Sequence, residues 1–145
     1  DISLTTDIIV GFPGETEEDF QDTLDVVEKS CFDTAFTFIY SKRSGTPAAK
    51  MENQVPEDVV KDRFARLLSL VQEKGREASS RFEGTVQEIL VEEEHRMSGQ
   101  TFMVGHTKEY VKIVVPEGSV SAGEIVTVHV EKLMEKEGIL QGKRI

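Results

Sequence analysis

Residues 5–16 read TTDIIVGFPGET, and this stretch decides how the first half of the chain folds. Its first six residues are rich in β-branched side chains and predict a strand buried on both faces, as in a parallel sheet. Residues 12–14 (FPG) then predict a tight turn. Thr16 stands three residues before Asp19, a spacing that favours a capping box at the start of a helix. The stretch therefore predicts a strand, a turn and a helix in close succession.

The segments that follow extend this pattern into an α/β arrangement. Phe20, Leu24 and Val27 recur at helical spacing, so one face of the helix is apolar. Residues 35–40 (AFTFIY) predict a second strand, and a strand, a helix and a strand at this spacing form a βαβ unit. An apolar stripe after Pro56 predicts a long helix over residues 56–79. Residues 1–79 therefore form the first of two predicted domains.

The composition changes near residue 80, where short β-rich segments separated by glycines begin. Five strands are predicted, near residues 82–92, 101–105, 109–115, 124–132 and 138–144. Five short strands in so few residues favour a small closed or nearly closed antiparallel barrel over residues 80–145. The acidic run at residues 92–94 is interpreted as a solvated hairpin turn.

Charge and cysteine content exclude several classes of protein. The 145 residues contain 17 Lys and Arg against 27 Asp and Glu, a net charge of −10, which argues against a generally basic nucleic-acid binder. Cys31 is the single cysteine, so the chain by itself forms neither a disulfide nor a cysteine-only metal site. No apolar run is long enough to span a bilayer, and no leader precedes the first strand, so a cytoplasmic location without membrane attachment is expected. Because the chain begins at Asp1 and enters a strand at once, we expect it to be part of a longer protein.

Two sites in the first domain have residue types suited to ligand binding. The glycines of the GFPGET junction allow close backbone approach, and a helix N-terminus offers free N–H donors. A tight turn without a ligand explains the same residues. At the end of the second strand, Tyr40, Ser41, Lys42 and Arg43 either meet an anionic substrate or form a solvated loop. None of these residues predicts a catalytic group or a metal ligand.

The second domain has cationic and aromatic residues suited to RNA. Phe102 and Tyr110 are the candidate stacking groups, with burial of Phe102 in the core as the alternative. The candidate phosphate contacts are Arg81, Lys108, Lys112, Lys132, Lys143 and Arg144. Ordinary surface exposure explains these cations equally well, because acidic residues outnumber basic ones in this domain too.

Residues 5–51, TTDIIVGFPGETEEDFQDTLDVVEKSCFDTAFTFIYSKRSGTPAAKM, resemble the late part of the radical S-adenosylmethionine domain of methylthiotransferases. Residues from about 80 onward resemble the TRAM domain that follows it in this family. The resemblance implies the end of a (βα)₆ partial barrel over residues 1–79. A five-stranded OB-like barrel over residues 80–145 would follow.

The resemblance also implies an activity, cofactors and a partner. Residues 35–49 (AFTFIYSKRSGTPAA) are most similar to the branch that modifies an isopentenylated adenosine in the anticodon stem-loop of tRNA. That activity uses S-adenosylmethionine and two 4Fe–4S clusters. The cysteine motifs that bind such clusters are absent from this chain, so we expect it to be inactive alone. The longer parent protein is expected to be monomeric. The alternatives are the sibling branch that acts on a ribosomal-protein aspartate, and a non-catalytic RNA-binding adaptor.

Specific residues take roles from this resemblance. Those matching the cofactor wall are Ile9, Gly11, Tyr40 and Ser41, while Lys42 and Arg43 would face the RNA substrate. In the TRAM-like barrel, the expected RNA contacts are Arg81, Lys108, Tyr110, Lys112, Lys143 and Arg144. The first domain is also expected to leave an apolar surface exposed, since part of the barrel around it is missing.

Overall fold

The computed structural model describes residues 2–97, 99–134 and 136–145. The chain divides into two compact units, Leu4–Gly75 and a second unit made mainly of Arg76–Ile145. The division falls inside the long second helix. Each unit has its own hydrophobic core.

The first unit has the predicted strand–helix–strand order. Strand β1 spans Thr5–Val10, helix α1 spans Glu17–Ser30 and strand β2 spans Thr34–Ile39. A short 3₁₀ turn at Ala48–Lys50 precedes helix α2, which spans Glu57–Ser80. The two strands pair in parallel, with Thr5 opposite Thr34 and Val10 opposite Ile39.

Helix α1 begins with the predicted capping box. The Thr16 hydroxyl accepts a hydrogen bond from the Asp19 amide at 3.1 Å, and the Asp19 carboxylate accepts one from the Thr16 amide at 2.9 Å. Both bonds satisfy amides that a helix N-terminus otherwise leaves unpaired. The apolar face buries Phe20 and Val27. Cys31 follows the helix in a left-handed conformation and is exposed.

Only one face of the β1–β2 sheet is covered, so the prediction that β1 is buried on both faces is wrong for its outer face. Val10 is 1% exposed and packs with Phe20 and Leu67 from the two helices. On the opposite face, Ile9 is 54% exposed and Phe38, its partner in the ladder, is 51% exposed. The helices cover one side of this two-stranded sheet, and within Leu4–Gly75 no further layer lies over the other side. The expected apolar surface is therefore present.

The second unit is the predicted five-stranded closed barrel. The strands are β3 (Val86–Met97), β4 (Gln100–His106), β5 (Lys112–Pro116), β6 (Ile125–Met134) and β7 (Ile139–Arg144). They follow the order β3-β4-β5-β7-β6, and pairing of β6 with β3 closes the ring.

The prediction that the barrel is wholly antiparallel is wrong at one pair. Strands β5 and β7 run parallel, with Ile113 opposite Leu140. A ring of five strands cannot alternate direction at every step, because an odd number of alternations does not close. One parallel pair is thus the consequence of closure with five strands.

The acidic run at residues 92–94 lies within β3, so its interpretation as a hairpin turn is also wrong. Glu93 and Glu94 pair with Val104 and Met103 of β4. The register shifts between Val91 and Glu93, which makes Glu92 the extra residue of a β-bulge. Three consecutive glutamates can lie in β3 because their side chains are exposed to solvent.

The barrel interior is filled by β-branched and aliphatic side chains. Ile89, Ile113 and Val128 are fully buried in its main cluster. Phe102 is 5% exposed and packs with Met97, Val104 and Val114, so it belongs to the core and is not available for stacking. At Gly105, strand β4 lies close to strand β3. A Cβ there would lie 2.7 Å from the Leu90 carbonyl oxygen and 2.9 Å from Ile89 Cδ1.

We predict that Gly105→Ala destabilises the barrel by about 1–3 kcal/mol, because the added methyl overpacks against main chain that cannot move freely. Amide hydrogen exchange across β3, β4 and β5 measures the change. The control is Gly75→Ala, which adds the same methyl inside α2 with its nearest neighbour 3.8 Å away. That change should leave barrel exchange unaltered, and equal protection at both variants would contradict the close approach at Gly105.

Candidate functional site

The GFPGET turn uses its own backbone donors internally. The Gly11 amide donates to Glu15 Oε2 at 3.0 Å, and the Gly14 amide donates to the Asn53 carbonyl at 2.7 Å. The Glu15 amide donates to the Phe12 carbonyl at 2.9 Å. These donors are therefore not free for an anion, and the geometry favours the tight-turn alternative over a ligand-binding N-terminus.

A buried arginine from α2 holds this turn in place. Arg63 Nη1 lies 2.7 Å from Glu15 Oε1 and donates to the Glu15 carbonyl at 3.1 Å. Its Nε donates to Glu17 Oε2 at 3.1 Å. The side chains of Arg63 and Glu15 are only 5% and 12% exposed. Since Glu15 also binds the Gly11 amide, Arg63 fixes the carboxyl end of β1 through that carboxylate.

Sequence reasoning missed Arg63, although its spacing contained a signal. Val60, Arg63 and Leu67 recur three and four residues apart, which places the arginine on the buried face of α2. An ionised side chain in such a stripe requires a partner in the same interface.

Phe20 and a second arginine complete this interface between the helices. The guanidinium carbons of Arg63 and Arg66 lie 5.7 and 4.7 Å from the centre of the Phe20 ring. Arg66 Nη1 donates to Glu17 Oε1 at 2.8 Å. The hydrogen bond from Arg66, with a further one from Arg63, lowers the pKa of Glu17 below its usual value although partial desolvation opposes this. These contacts tie α2 to the first turn of α1.

A cavity of about 470 Å³ opens at the carboxyl ends of β1 and β2. Its wall includes three of the four residues predicted for a cofactor wall, Ile9, Tyr40 and Ser41, together with Phe12 and Phe38. Gly11 is not among the lining residues, and Val60 occupies the space above its Cα, with Cγ2 2.6 Å from an ideal Cβ position. Arg43 lines this cavity, and Lys42 beside it is exposed.

Tyr40 has an unusual environment in this wall. Its amide donates to the Val10 carbonyl at 2.8 Å, and its ring meets Phe12 edge-on with centroids 5.4 Å apart. Its hydroxyl oxygen is buried and has no hydrogen-bond partner among the described residues. A buried hydroxyl without a partner is costly, and a ligand with a polar edge would satisfy it.

On the barrel, four strands place a row of side chains on the outer surface. Ile125 of β6 pairs with Leu90 of β3, Leu90 pairs with His106 of β4, and His106 pairs with Lys112 of β5. Directly paired residues point to the same side of a sheet. Ile125 is 67% exposed and Leu90 is 45% exposed. A groove of about 580 Å³ is lined by three residues of this row, Ile125, Leu90 and His106, and also by Val86, Lys108 and Glu109.

An aromatic pair includes His106, which lines the groove. The rings of His106 and Tyr110 stack with centroids 4.4 Å apart and an angle of 10° between their planes. His106 Nδ1 lies 2.7 Å from Glu92 Oε2, at the bulge in β3. Tyr110 is 74% exposed. The predicted stacking residue therefore has a partner that sequence reasoning did not identify.

The short turn from residue 107 to residue 111 positions Tyr110. Thr107 is 5% exposed, and its hydroxyl accepts hydrogen bonds from the Glu109 and Val111 amides, each at 3.2 Å. The Tyr110 amide donates to the Thr107 carbonyl at 2.9 Å. Tyr110 itself has φ of 65°, a left-handed conformation that residues other than glycine rarely adopt.

The remaining cationic candidates have different environments. Lys112 lies in the exposed row, and Lys108 is 90% exposed with its Nζ 3.5 Å from Glu109. Lys143 pairs with His129, which pairs with Val86 at the edge of the groove. Arg144 donates to the Ser119 carbonyl at 3.0 Å, and the Arg81 guanidinium lies 4.9 Å from the Phe82 ring centre. The structure thus brings Lys108, Tyr110 and Lys112 together, while Arg144 has a structural partner at the barrel end.

Within residues 2–97, 99–134 and 136–145, no group of three or more His, Cys, Asp or Glu side chains is arranged to hold a metal ion. None of the helices in the same ranges is long and apolar enough to cross a membrane.

Comparison with known proteins identifies the domain family of the barrel and the protein family of the whole chain. Residues 80–142 match the TRAM domain family, so the second unit is a TRAM domain. Curated relatives named tRNA-2-methylthio-N(6)-dimethylallyladenosine synthase match most of the chain. The relative from Lachnoclostridium phytofermentans is 53% identical over 137 residues, which cover 94% of this chain and 29% of the relative. The relative from Corynebacterium jeikeium is 54% identical over 128 residues, which cover 87% of this chain and 25% of the relative.

The chain therefore belongs to the family of tRNA-2-methylthio-N(6)-dimethylallyladenosine synthases. It spans between a quarter and a third of the length of these two relatives.

We predict that Arg63→Met destabilises the first unit by about 3–5 kcal/mol, because it leaves the Glu15 carboxylate buried without its partner. Urea unfolding followed by circular dichroism at 222 nm measures the loss, since α1 and most of α2 lie in this unit. The double variant Glu15→Gln/Arg63→Met should lose less than the sum of the two single variants. Lys61→Met, at an exposed ion pair on the same helix, is the control with no expected change. An Arg63 variant as stable as the control would contradict the clamp.

Proposed function

We propose that this chain is part of an enzyme that converts N6-dimethylallyladenosine of tRNA to its 2-methylthio derivative with S-adenosylmethionine. The observation that carries the proposal is the similarity of nearly the whole chain to synthases of that name, at 53% identity for one relative covering 94% of the chain. In this proposal the first unit is the late part of a radical S-adenosylmethionine (βα)₆ partial barrel. The parallel β1–β2 pair with one open face supports that assignment.

The cavity at the ends of β1 and β2 has residues that fit the adenosyl part of the cofactor. Ile9 and Phe38 offer apolar contact, and Tyr40 offers a buried hydroxyl without a partner. An adenosine combines a flat apolar face with polar edges, which this wall matches. When bound, S-adenosylmethionine supplies the radical for sulfur insertion at C2 of the adenine and the methyl group for that sulfur. In this proposal, Tyr40 and Ile9 bind and orient the adenosine of the cofactor.

The residues of this chain do not fit a 4Fe–4S cluster. A cluster of that type takes cysteine thiolates, and Cys31 is the single cysteine. It is exposed and follows the C-terminus of α1. We therefore assign the ligands of both clusters to parts of the parent outside this chain, and expect no catalysis from the chain alone.

The TRAM domain is proposed to bind the tRNA, at the anticodon stem-loop, in a cytoplasmic and monomeric parent. Lys108 lines the groove on its outer surface, and Lys112 pairs with His106 of the same groove. Lys143 pairs with His129 on β6. All three are suited to phosphate contacts. The alternative within the same family is methylthiolation of an aspartate in a ribosomal protein. Relatives named for a tRNA substrate favour the first choice.

We predict that the chain binds tRNA and that Lys108→Ala/Lys112→Ala weakens this binding. Each lost phosphate contact should reduce the slope of log affinity against log salt by roughly 0.7–0.9. Fluorescence anisotropy of labelled tRNA over a series of salt concentrations measures both quantities. Lys61→Ala, on the first unit and in an exposed ion pair with Glu57, is the matched control. An unchanged affinity and slope in the double variant would remove both lysines from the RNA surface.

The parent protein provides the test of the reaction itself. Reconstituted with iron, sulfide and S-adenosylmethionine, it should add a methylthio group to tRNA that carries N6-dimethylallyladenosine. Mass spectrometry of digested tRNA and of the ribosomal protein distinguishes the two substrates. Methylthio transfer to the protein alone would contradict the proposal. The 145-residue chain under the same conditions is the negative control.

A further inference from the structure

We propose that Tyr110 and His106 form a platform on which an unpaired nucleobase of the RNA stacks, with Leu90 and Ile125 contacting the adjoining nucleotide. The inference rests on RNA binding by the TRAM domain and names the part of the RNA that this surface takes.

The geometry of the pair leaves one ring face available. His106 covers one face of Tyr110, with the planes 10° apart and the centroids at 4.4 Å. Tyr110 is nevertheless 74% exposed, so its opposite face meets solvent. A flat ring that is open on one side and supported on the other is the arrangement on which bases stack in single-strand binding proteins.

Hydrogen bonds hold His106 and the turn that carries Tyr110 in place. The Glu92 carboxylate lies 2.7 Å from His106 Nδ1, and the His106 side chain is 15% exposed. The buried Thr107 hydroxyl accepts two amides of the turn that carries Tyr110. Because the rings are fixed before binding, little side-chain entropy is lost when a base stacks on them.

The fold bears a cost to present Tyr110 in this way. A left-handed φ of 65° is unfavourable for a tyrosine, and a tyrosine residue that is 74% exposed contributes little to the core. Strained backbone that supports an exposed aromatic side chain is typical of binding sites. Leu90 and Ile125, 45% and 67% exposed, continue the apolar surface from the same platform along the groove.

The charges around the platform favour a base over a phosphate as the group that binds there. Glu88 and Glu109 line the groove with Lys108, and Glu92 lies beneath the imidazole. These carboxylates oppose a phosphate at the two rings, whereas they do not oppose the face of a neutral base. The phosphate contacts fall instead to Lys108 and Lys112, two residues before and two residues after Tyr110. Bases of a duplex are already stacked and paired, so the platform selects an unpaired nucleotide of a loop.

The test compares Tyr110→Asn with Tyr110→Phe in the full chain. Asparagine tolerates the left-handed conformation and removes the ring, whereas phenylalanine keeps the ring. The probes are a fluorescein-labelled, unstructured RNA dodecamer and the blunt-ended duplex that the same dodecamer forms with its complement, which has no unpaired nucleotide. We expect Tyr110→Asn to weaken binding of the dodecamer about tenfold, at an unchanged salt slope and an unchanged or raised thermal midpoint. Tyr110→Phe should bind within about twofold of the unsubstituted chain.

A second measurement reads the ring directly. The chain has two tyrosines, so Tyr40→Phe leaves Tyr110 as the sole tyrosine in the NMR spectrum. Its ring protons should shift upfield when the dodecamer is added and stay in place with the duplex.

The outcomes separate this inference from the proposal on which it rests. If the unsubstituted chain binds neither RNA, RNA binding by the domain is overturned. If it binds the dodecamer but Tyr110→Asn binds equally well, or the ring protons stay in place, the platform is overturned while RNA binding stands. Equal weakening of dodecamer and duplex binding by Tyr110→Asn also overturns the selection of an unpaired base.

Discussion

The buried guanidinium of Arg63 is the contact on which the first unit depends. It joins α2 to the turn between β1 and α1, because it binds the carboxylate and the carbonyl of Glu15 while Glu15 binds the Gly11 amide. The carboxyl end of β1 is thereby fixed by residues that do not line the cavity. Phe12 and Tyr40, which meet edge-on in the cavity wall, follow directly from the strands that this contact holds. The arginine therefore supports the proposed cofactor wall without touching it.

In the barrel the corresponding constraint is closure. Pairing of β6 with β3 brings Ile125 beside Leu90, and two further pairings continue the row to His106 and Lys112. No stretch of sequence contains this row, since its members lie on four different strands. The surface proposed for RNA thus exists only once β6, β3, β4 and β5 are paired, so stability of the barrel and its proposed binding function depend on the same ladders.

Local patterns predicted the elements well and their surroundings less well. Thr16 and Asp19 identified the start of α1, and the glycine spacing identified five strands, because both signals act within a few residues. Burial of β1 on both faces failed, since it depends on what lies beyond the strand. The three consecutive acidic residues at 92–94 suggested a solvated turn, yet pairing of this segment with β4 makes it part of a strand. Tyr110 was identified by its type alone, while its partner His106 required the fold. Resemblance predicted a cofactor wall at Ile9, Gly11, Tyr40 and Ser41. Three of these residues line the cavity and Gly11 lies under Val60, while cofactor binding there stays a prediction.

The bulge at Glu92 gives the barrel a property that depends on chain length. Val91 and Glu93 pair with Gly105 and Val104, which are consecutive, so Glu92 is the one residue by which β3 exceeds a regular ladder at this point. That same residue carries the carboxylate beneath His106. Loss of one codon here would restore an uninterrupted ladder while removing the support of the imidazole.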